Sequence, residues 1–299
     1  MTILFSLAAG RNTECTIKRC LNVFKYNPKS ILIVNCDILI NKDKLKEALS
    51  DFSNFFINPI PRSQNLDANL LESHCTNYTF ARDSKLDFDI ICLLSDQDMF
   101  IRYGLYDFIK YYHAGFMVCS NYLKPSNWKE IGFAERDFWN QKTEPFWTDS
   151  FLNDTRISRV ISEQIEGSFY KRALFEEMHK YLEDLPIHYT KILRSHYEET
   201  TFGTLYMNIF KYSYPIYLPI SIIYRSDSIV QRPENLFNIL TQQKERESMI
   251  CKDSYETFHM FTFGIKRVKY HEAWDNIVNS IIIRAKDYLT KVDINNDNI

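Results

Sequence analysis

Short apolar runs alternate with helix-like segments in the first part of the chain. Residues 3–9 form one apolar run, closed by Gly-Arg-Asn, and residues 31–34 form a second that ends at Asp37. Between them, apolar residues recur at helical spacing after Thr13, which we predict to be the helix N-cap, and Asn27 with its following proline ends the helix. The pattern predicts strand, helix, strand.

The same alternation continues as far as residue 98. It predicts a helix over 42–52, a strand over 55–57, a helix over 66–80 and a strand over 88–94. Strands and helices alternating at this spacing are typical of an α/β fold, with a mostly parallel sheet flanked by helices on both faces. Ligands of such Rossmann-like sheets bind outside the carboxyl ends of the strands, where Asp37 and Asp98 are expected.

The second half of the chain is less regular. Residues 121–153 form a long aromatic segment that contains Trp128 and Trp147, and segments of this kind commonly bind a ligand or cover a site. The pattern then predicts a helix over 156–165, a turn at 166–168, a helix to residue 180, a helix from about 199, a strand over 220–224 and a closing helix over 274–289.

Composition excludes several classes of protein. The net charge of −2 over 299 residues gives no general attraction to nucleic acid. The 7 cysteines form no C-x-x-C pair and the 7 histidines show no zinc-site spacing, so reduced thiols and no zinc are expected. Without a basic leader or a membrane-length apolar run, a cytoplasmic location is expected. The bias toward Lys, Asn, Ile, Tyr and Phe suggests an AT-rich bacterial genome.

Two acidic features carry candidate chemistry. Asp96 and Asp98 form a D-x-D after an apolar strand, a common sign of Mg²⁺ or Mn²⁺ holding the diphosphate of a sugar nucleotide, although a strand-ending turn also favours acidic residues. Glu199 opens an apolar helix, where it could act as a general base toward an attacking hydroxyl. Capping and the helix dipole alone would also favour a carboxylate there, so both interpretations stay open.

Two basic residues follow apolar segments. Arg225 comes directly after the strand predicted at 220–224, and Lys266 follows an apolar, glycine-containing stretch. Two fixed cations can neutralise a departing diphosphate, although charges that only aid solubility would look the same. The absence of G-x-G-x-x-G, Walker A and G-x-S-x-G motifs argues against dinucleotide enzymes, P-loop ATPases and serine hydrolases.

Six segments in order resemble the core-2/I-branching β-1,6-N-acetylglucosaminyltransferase and xylosyltransferase family. They are residues 33–37, 88–101 and 167–170, Glu199 placed five residues before Thr204, residues 224–225 and residues 263–266. The resemblance spans roughly residues 3–270. The chain departs from the family at Asp96, where the family has a small residue, and at Asn35, which replaces a histidine.

The resemblance implies a GT-A-like fold and an inverting transfer of a sugar, N-acetylglucosamine as the best guess, from a UDP-sugar to a hydroxyl of a glycan or lipid-linked glycan, as in bacterial surface polysaccharide synthesis. A pair of basic residues replaces the metal in this family, so no cofactor is required. The departure at Asp96 keeps an Mn- or Mg-dependent transferase open, and a glycan-binding module without turnover is the other alternative.

By matching position, the resemblance assigns roles to individual residues. It makes Glu199 the base and Arg225 and Lys266 the diphosphate clamp. In this mechanism we expect Asp37 and Asp98 to contact the donor, and Glu166 and Ser168 to contact the acceptor. Trp128 and Trp147 of the aromatic segment are expected to stack on acceptor sugar faces, with packing of the rings under a long loop as the alternative. Residues 1–120 would bind the nucleotide sugar, residues 121–292 would complete the same domain with the acceptor and catalytic half, and residues 293–299 would form a frayed tail. The predicted closing helix carries three basic residues, Arg284, Lys286 and Lys291. They suggest a peripheral membrane contact, and packing of the apolar side of this helix into the core is the alternative.

Overall fold

The computed structural model describes ten stretches of the chain. They are residues 2–10, 12–62, 69–123, 159–184, 198–208, 221–223, 263–266, 280–281, 283–285 and 287. The strands are β1 (Ile3–Ala9), β2 (Ile31–Cys36), β3 (Phe55–Ile57), β4 (Ile90–Ser95), β5 (Met99–Phe100), β6 (Ala114–Leu123), β7 (Arg159–Lys171), β8 (Ser221–Ile223) and β9 (Gly264–Lys266). The helices are α1 (Thr13–Tyr26), α2 (Lys42–Ala48), α3 (Asn69–Asp83), α4 (Leu105–Ile109), α5 (Arg172–Asp184) and α6 (Glu198–Asn208).

The main sheet has six strands in the order β3-β2-β1-β4-β7-β6. Strand β1 runs parallel to β2 and β4, and β2 runs parallel to β3. Strand β7 runs antiparallel to both of its neighbours, β4 and β6. The order 3-2-1-4 of the parallel strands is that of the nucleotide-binding Rossmann sheet. The predicted α/β class, with a mostly parallel sheet flanked by helices, is confirmed.

Alternating side chains of the sheet build a core on each of its faces. Leu4 packs with α3, α5 and α6 on one face, whereas Phe5 and Leu7 pack with α1 and α2 on the other. Every residue of β1 and β4 is buried. A strand covered on both faces needs an unbroken apolar run, which explains why these strands could be predicted.

Helix α1 begins one residue away from the predicted cap. Asn12 is the N-cap, and its side-chain oxygen accepts from the amides of Glu14 at 2.9 Å and Cys15 at 3.3 Å. Thr13 is already helical, and its hydroxyl oxygen accepts from the amide of Asn41. The prediction of Thr13 as cap is therefore wrong, because Asn12 has the extended backbone that a cap needs. Helix α1 ends before Asn27 as predicted, whereas α2 ends at Ala48, short of residue 52.

The helix predicted over residues 156–165 is contradicted from residue 159 onward. Those residues belong to β7, which pairs with β6 from Ala114↔Tyr170 to Leu123↔Arg159. Strand β6 itself was not predicted. Pairing between distant segments decided the structure here over a local pattern that fits a helix. Among the described residues, none of the helices combines the length and apolar character needed to cross a membrane.

Candidate functional site

The carboxyl ends of three parallel strands meet at one edge of the sheet. Ala9 pairs with Cys36, and Ala8 pairs with Ser95, so β1, β2 and β4 end at the same level. The hydrogen bonds between β1 and β2 continue one residue past the end of β2, because the amide of Asp37 donates to the carbonyl of Ala9 at 2.8 Å. We call this region the carboxyl edge. It includes Asp37 and the turn after β4, as expected from the sequence.

The D-x-D turn is fixed by its own carboxylates. Asp96 Oδ2 accepts from the amide of Gly10 at 2.9 Å, which links β4 to the first turn after β1. Asp98 Oδ2 accepts from the amide of Ser95 at 2.8 Å and closes the turn. Both carboxylates are buried, with 4% and 5% exposure.

The backbone hydrogen bonds of Asp96 and Asp98 reduce the number of oxygens that these carboxylates could offer to a metal ion. Mg²⁺ and Mn²⁺ prefer a full set of oxygen ligands, and one oxygen of each carboxylate is already bonded to a backbone amide. No cluster of three or more His, Cys, Asp or Glu suited to a metal occurs within the described stretches. Asp96 and Asp98 alone therefore form an incomplete donor set.

A second, three-stranded sheet joins the D-x-D turn to a distant part of the chain. Strand β5 follows the turn directly and pairs antiparallel with β9, through Met99↔Ile265 and Phe100↔Gly264. Continuing this antiparallel register by one residue would set Asp98 opposite Lys266. Strand β8 pairs parallel with β9, with Ile223 opposite Lys266. The backbone of Lys266 therefore lies beside the D-x-D turn.

The position of β5 is also held from helix α1. Asn22 Nδ2 donates to the carbonyl of Phe100 at 3.0 Å, and the amide of Phe100 donates to Asn22 Oδ1 at 2.6 Å. The side-chain amide thus replaces a neighbouring strand on the second edge of β5. Sequence reasoning missed Asn22, although a polar residue between the apolar Leu21 and Val23 was a usable signal.

Strand β7 carries a large bulge beside the carboxyl half of β4. The pairs Gly115↔Phe169 and Met117↔Gln164 flank it, so residues 165–168 face the single residue Phe116. Gly167 has φ 87°, a conformation that favours glycine, and Ser168 Oγ donates to the carbonyl of Ile165 at 2.5 Å. The turn predicted at 166–168 is therefore a bulge within a strand, and not a connection between helices. Bulges often re-aim side chains next to active sites.

A buried histidine on α3 contacts the middle of β1. His74 Nδ1 and Ser6 Oγ are 2.8 Å apart, which ties α3 to β1. Burial lowers the pKa of His74 to about 3, the negative charge of Glu166 opposes this shift, and the positive charge of Arg62 adds to it. His74 is therefore neutral near pH 7. Both Glu166 and Arg62 therefore act electrostatically on His74.

A second buried acid connects β7 to helix α6. Glu163 is fully buried, and its Oε1 accepts from the amide of Gly203 at 2.6 Å while its Oε2 accepts from Tyr170 Oη at 3.2 Å. Burial raises the pKa of the Tyr170 phenol, and the charge of Glu163 raises it further, so Tyr170 stays protonated and donates. Glu199 precedes Gly203 by four residues, about 6 Å along the helix axis. Glu163 thus fixes the helix turn that follows Glu199.

Several predicted site residues cannot be placed as side chains. Arg225, Trp128 and Trp147 lie outside the described residues. Glu199 and Lys266 are described as backbone, in α6 and β9. Asp37, Asp96 and Asp98 share the carboxyl edge, and Glu166 and Ser168 share the β7 bulge. The functional roles of all these residues stay predictions.

The sheet and its edge define the class of this protein as an α/β protein with a Rossmann-type, mostly parallel sheet. No protein-family model matches the sequence. No curated protein matches it either.

Solved structures show only a distant likeness to this chain. The galactosyltransferase LgtC, solved with donor and acceptor sugar analogues, is 11% identical, with 94% of this chain and 96% of that chain covered and a TM-score of 0.44. An active-site mutant of LgtC gives the same identity and coverage with a TM-score of 0.43. A nucleoside-diphosphate-sugar pyrophosphorylase from Vibrio cholerae RC9 is 9% identical over 69% of this chain and 87% of that chain, with a TM-score of 0.41. Values this low do not establish a shared function.

Proposed function

We propose that the protein is an inverting glycosyltransferase that moves a sugar from a UDP-sugar to a hydroxyl of a glycan acceptor. N-acetylglucosamine is the sugar we favour, and a growing or lipid-linked bacterial surface polysaccharide is the acceptor. The observation that carries the proposal is the β5–β9 pairing, which brings the backbone of Lys266 beside the D-x-D turn at the carboxyl edge. A cation-bearing strand at this edge suits a diphosphate ligand.

The donor would bind across the carboxyl edge. An acidic residue directly after β2 is the usual partner of a ribose hydroxyl in Rossmann sheets, which supports a ribose contact for Asp37. Asp98 would shape the floor of the diphosphate site through its bond to the amide of Ser95. Asp96 supports the same floor through Gly10. These bonds favour a structural role for the D-x-D over a metal-binding one.

Lys266 and Arg225 would oppose the charge that builds on the leaving diphosphate. Arg225 follows Ile223 by two residues, and Ile223 pairs with Lys266. Arg225 itself lies outside the described residues, and its closeness in sequence to Ile223 supports a shared role with Lys266. Preorganised charges of this kind are often the largest single contribution to catalysis.

The reaction would be a single displacement. The acceptor hydroxyl oxygen forms a bond to the anomeric carbon, the bond from that carbon to the diphosphate oxygen breaks, and the hydroxyl proton passes to Glu199. UDP leaves with the bonding electron pair, and the anomeric configuration inverts. Glu166 and Ser168 in the β7 bulge would orient the acceptor, and Trp128 and Trp147 would stack on its sugar faces.

A donor screen tests this proposal. We expect the purified protein to release UDP from UDP-N-acetylglucosamine in the presence of acceptor, and to do so equally well with EDTA, because side-chain cations take the place of a metal. The screen should include UDP-xylose and several UDP-hexoses, each with and without chelator.

Two results would redirect the proposal. Complete loss of UDP release on chelation, restored by Mn²⁺, would favour a metal-dependent transferase that uses Asp96 and Asp98. Glycan binding without any affinity for UDP would favour a binding module without turnover.

Sedimentation with vesicles, compared with an Arg284→Glu variant, addresses the proposed peripheral membrane contact of the exposed Arg284.

A further inference from the structure

Arg62 spans the ends of two strands at the carboxyl edge. Its amide donates to the carbonyl of Cys36 at 2.9 Å, which holds its backbone at the end of β2. Its side chain reaches the end of β1, because a Cβ built on Gly10 would lie 2.5 Å from Arg62 Nη1 and 3.4 Å from Arg62 Cζ. The guanidinium group therefore rests directly on Gly10, in a space that only a glycine leaves open.

Acidic residues share the carboxyl edge with Arg62. The amide of Gly10, the residue against which the guanidinium group rests, donates to Asp96 Oδ2. Asp37 and Asp98 occupy the same edge. No ion pair joins Arg62 to a carboxylate of the described residues. The N–H donors of the Arg62 guanidinium group therefore lie near the carboxyl edge and form no ion pair with a described carboxylate.

This position matches that of a phosphate in a Rossmann sheet. Phosphates of bound nucleotides sit at the first turn after β1, which here begins at Gly10. The acidic residues of the edge would repel a diphosphate unless a cation offset their charge. Arginine suits this task because its planar fork can donate two parallel hydrogen bonds to one phosphate.

We infer that Arg62 binds a phosphate group of the nucleotide donor at the Gly10 end of the carboxyl edge. The inference deepens the proposed function and rests on it. Lys266 lies in β9, which pairs with β5, the strand that directly follows the D-x-D turn. A diphosphate bound between Arg62 and Lys266 would cross the turn and be neutralised from both ends. Arg62 is thus a donor-binding residue additional to the predicted clamp.

Gly10 provides a way to move the guanidinium group without removing its charge. No positive φ is found at Gly10, whereas Gly104 and Gly167 have one, so alanine is compatible with its backbone. The added methyl group must displace the Arg62 side chain, which is flexible enough to yield. Gly10→Ala should therefore weaken phosphate binding while keeping the net charge.

Calorimetry with UDP and with uridine tests the inference on the full chain. We expect Arg62→Ala to weaken UDP binding by about 10- to 100-fold and to leave uridine binding unchanged, because a charge-assisted bond to phosphate is lost. Arg62→Lys and Gly10→Ala should lie between Arg62→Ala and the wild type. Arg82→Ala is the matched control and should bind as the wild type does, because Arg82 lies on α3 and pairs with Asp83 of the same helix and with Glu183 of α5.

The outcomes separate the inference from the proposed function. UDP affinity of Arg62→Ala within twofold of the wild type would overturn the inference, and so would an equal loss of uridine affinity, which would indicate a structural role or a contact to the nucleoside. Unchanged melting temperatures show that each variant is folded. A wild-type protein that binds no UDP would reject the proposed function itself and this inference with it, and the wild-type measurement alone identifies that case.

Discussion

Replacing Glu199 with glutamine is expected to remove sugar transfer and to preserve the fold and UDP binding. The amide has nearly the shape of the carboxylate but cannot accept a proton from the attacking hydroxyl. Loss of a general base lowers turnover by about 10²- to 10⁴-fold. The rate of UDP release with donor and acceptor measures the first effect, and calorimetry with UDP measures the second.

The neighbouring glutamate supplies the control. Glu198 begins α6, and consecutive residues of a helix are about 100° apart around its axis, so we expect Glu198→Gln to keep turnover close to that of the wild type. If Glu199→Gln retains near-normal turnover, Glu199 is not the base, whatever the donor proves to be. If both variants lose activity equally, the helix start as a whole matters, and no proton transfer can be assigned to Glu199.

Replacing Glu163 with alanine is expected to lower the free energy of unfolding by about 3 kcal/mol. The fully buried carboxylate accepts from the amide of Gly203 and from Tyr170 Oη, and alanine leaves both donors without this acceptor. An unsatisfied buried polar group costs roughly 1–3 kcal/mol. Urea unfolding at neutral pH measures the change.

Two further variants make this test specific. Glu177→Ala removes an exposed glutamate from α5 and should change stability by less than about 0.5 kcal/mol. Glu163→Gln keeps one oxygen acceptor and should lie between the wild type and Glu163→Ala. A Glu163→Ala protein as stable as the Glu177→Ala protein would show that the bond to Gly203 does not hold α6 against β7.

The parallel part of the sheet could be predicted because burial on both faces requires continuous apolar runs, as in β1 and β4. Asp37 and Asp98 could be found because a strand end identifies the edge where they lie. The antiparallel strands β6 and β7 were missed. Their pairing is set by distant partners and interrupted by the bulge at residues 165–168, so the local pattern fits a helix equally well.

The supporting residues of the site were harder to find. His74, Glu163 and Arg62 are polar residues whose importance depends on neighbours far away in sequence, such as Ser6, Gly203 and Gly10. The β5–β9 pairing involves two strands of two and three residues, too short to leave a pattern. Position in three dimensions, and not residue type, distinguishes these side chains from ordinary surface charges.

A crystal structure of the protein with UDP bound would locate the diphosphate directly. We expect it at the carboxyl edge, across the Asp96–Asp98 turn, with Arg62 at one end, Lys266 at the other and no metal ion bridging to the carboxylates. UDP bound away from this edge, or a diphosphate held to Asp96 and Asp98 through a divalent cation, would contradict it.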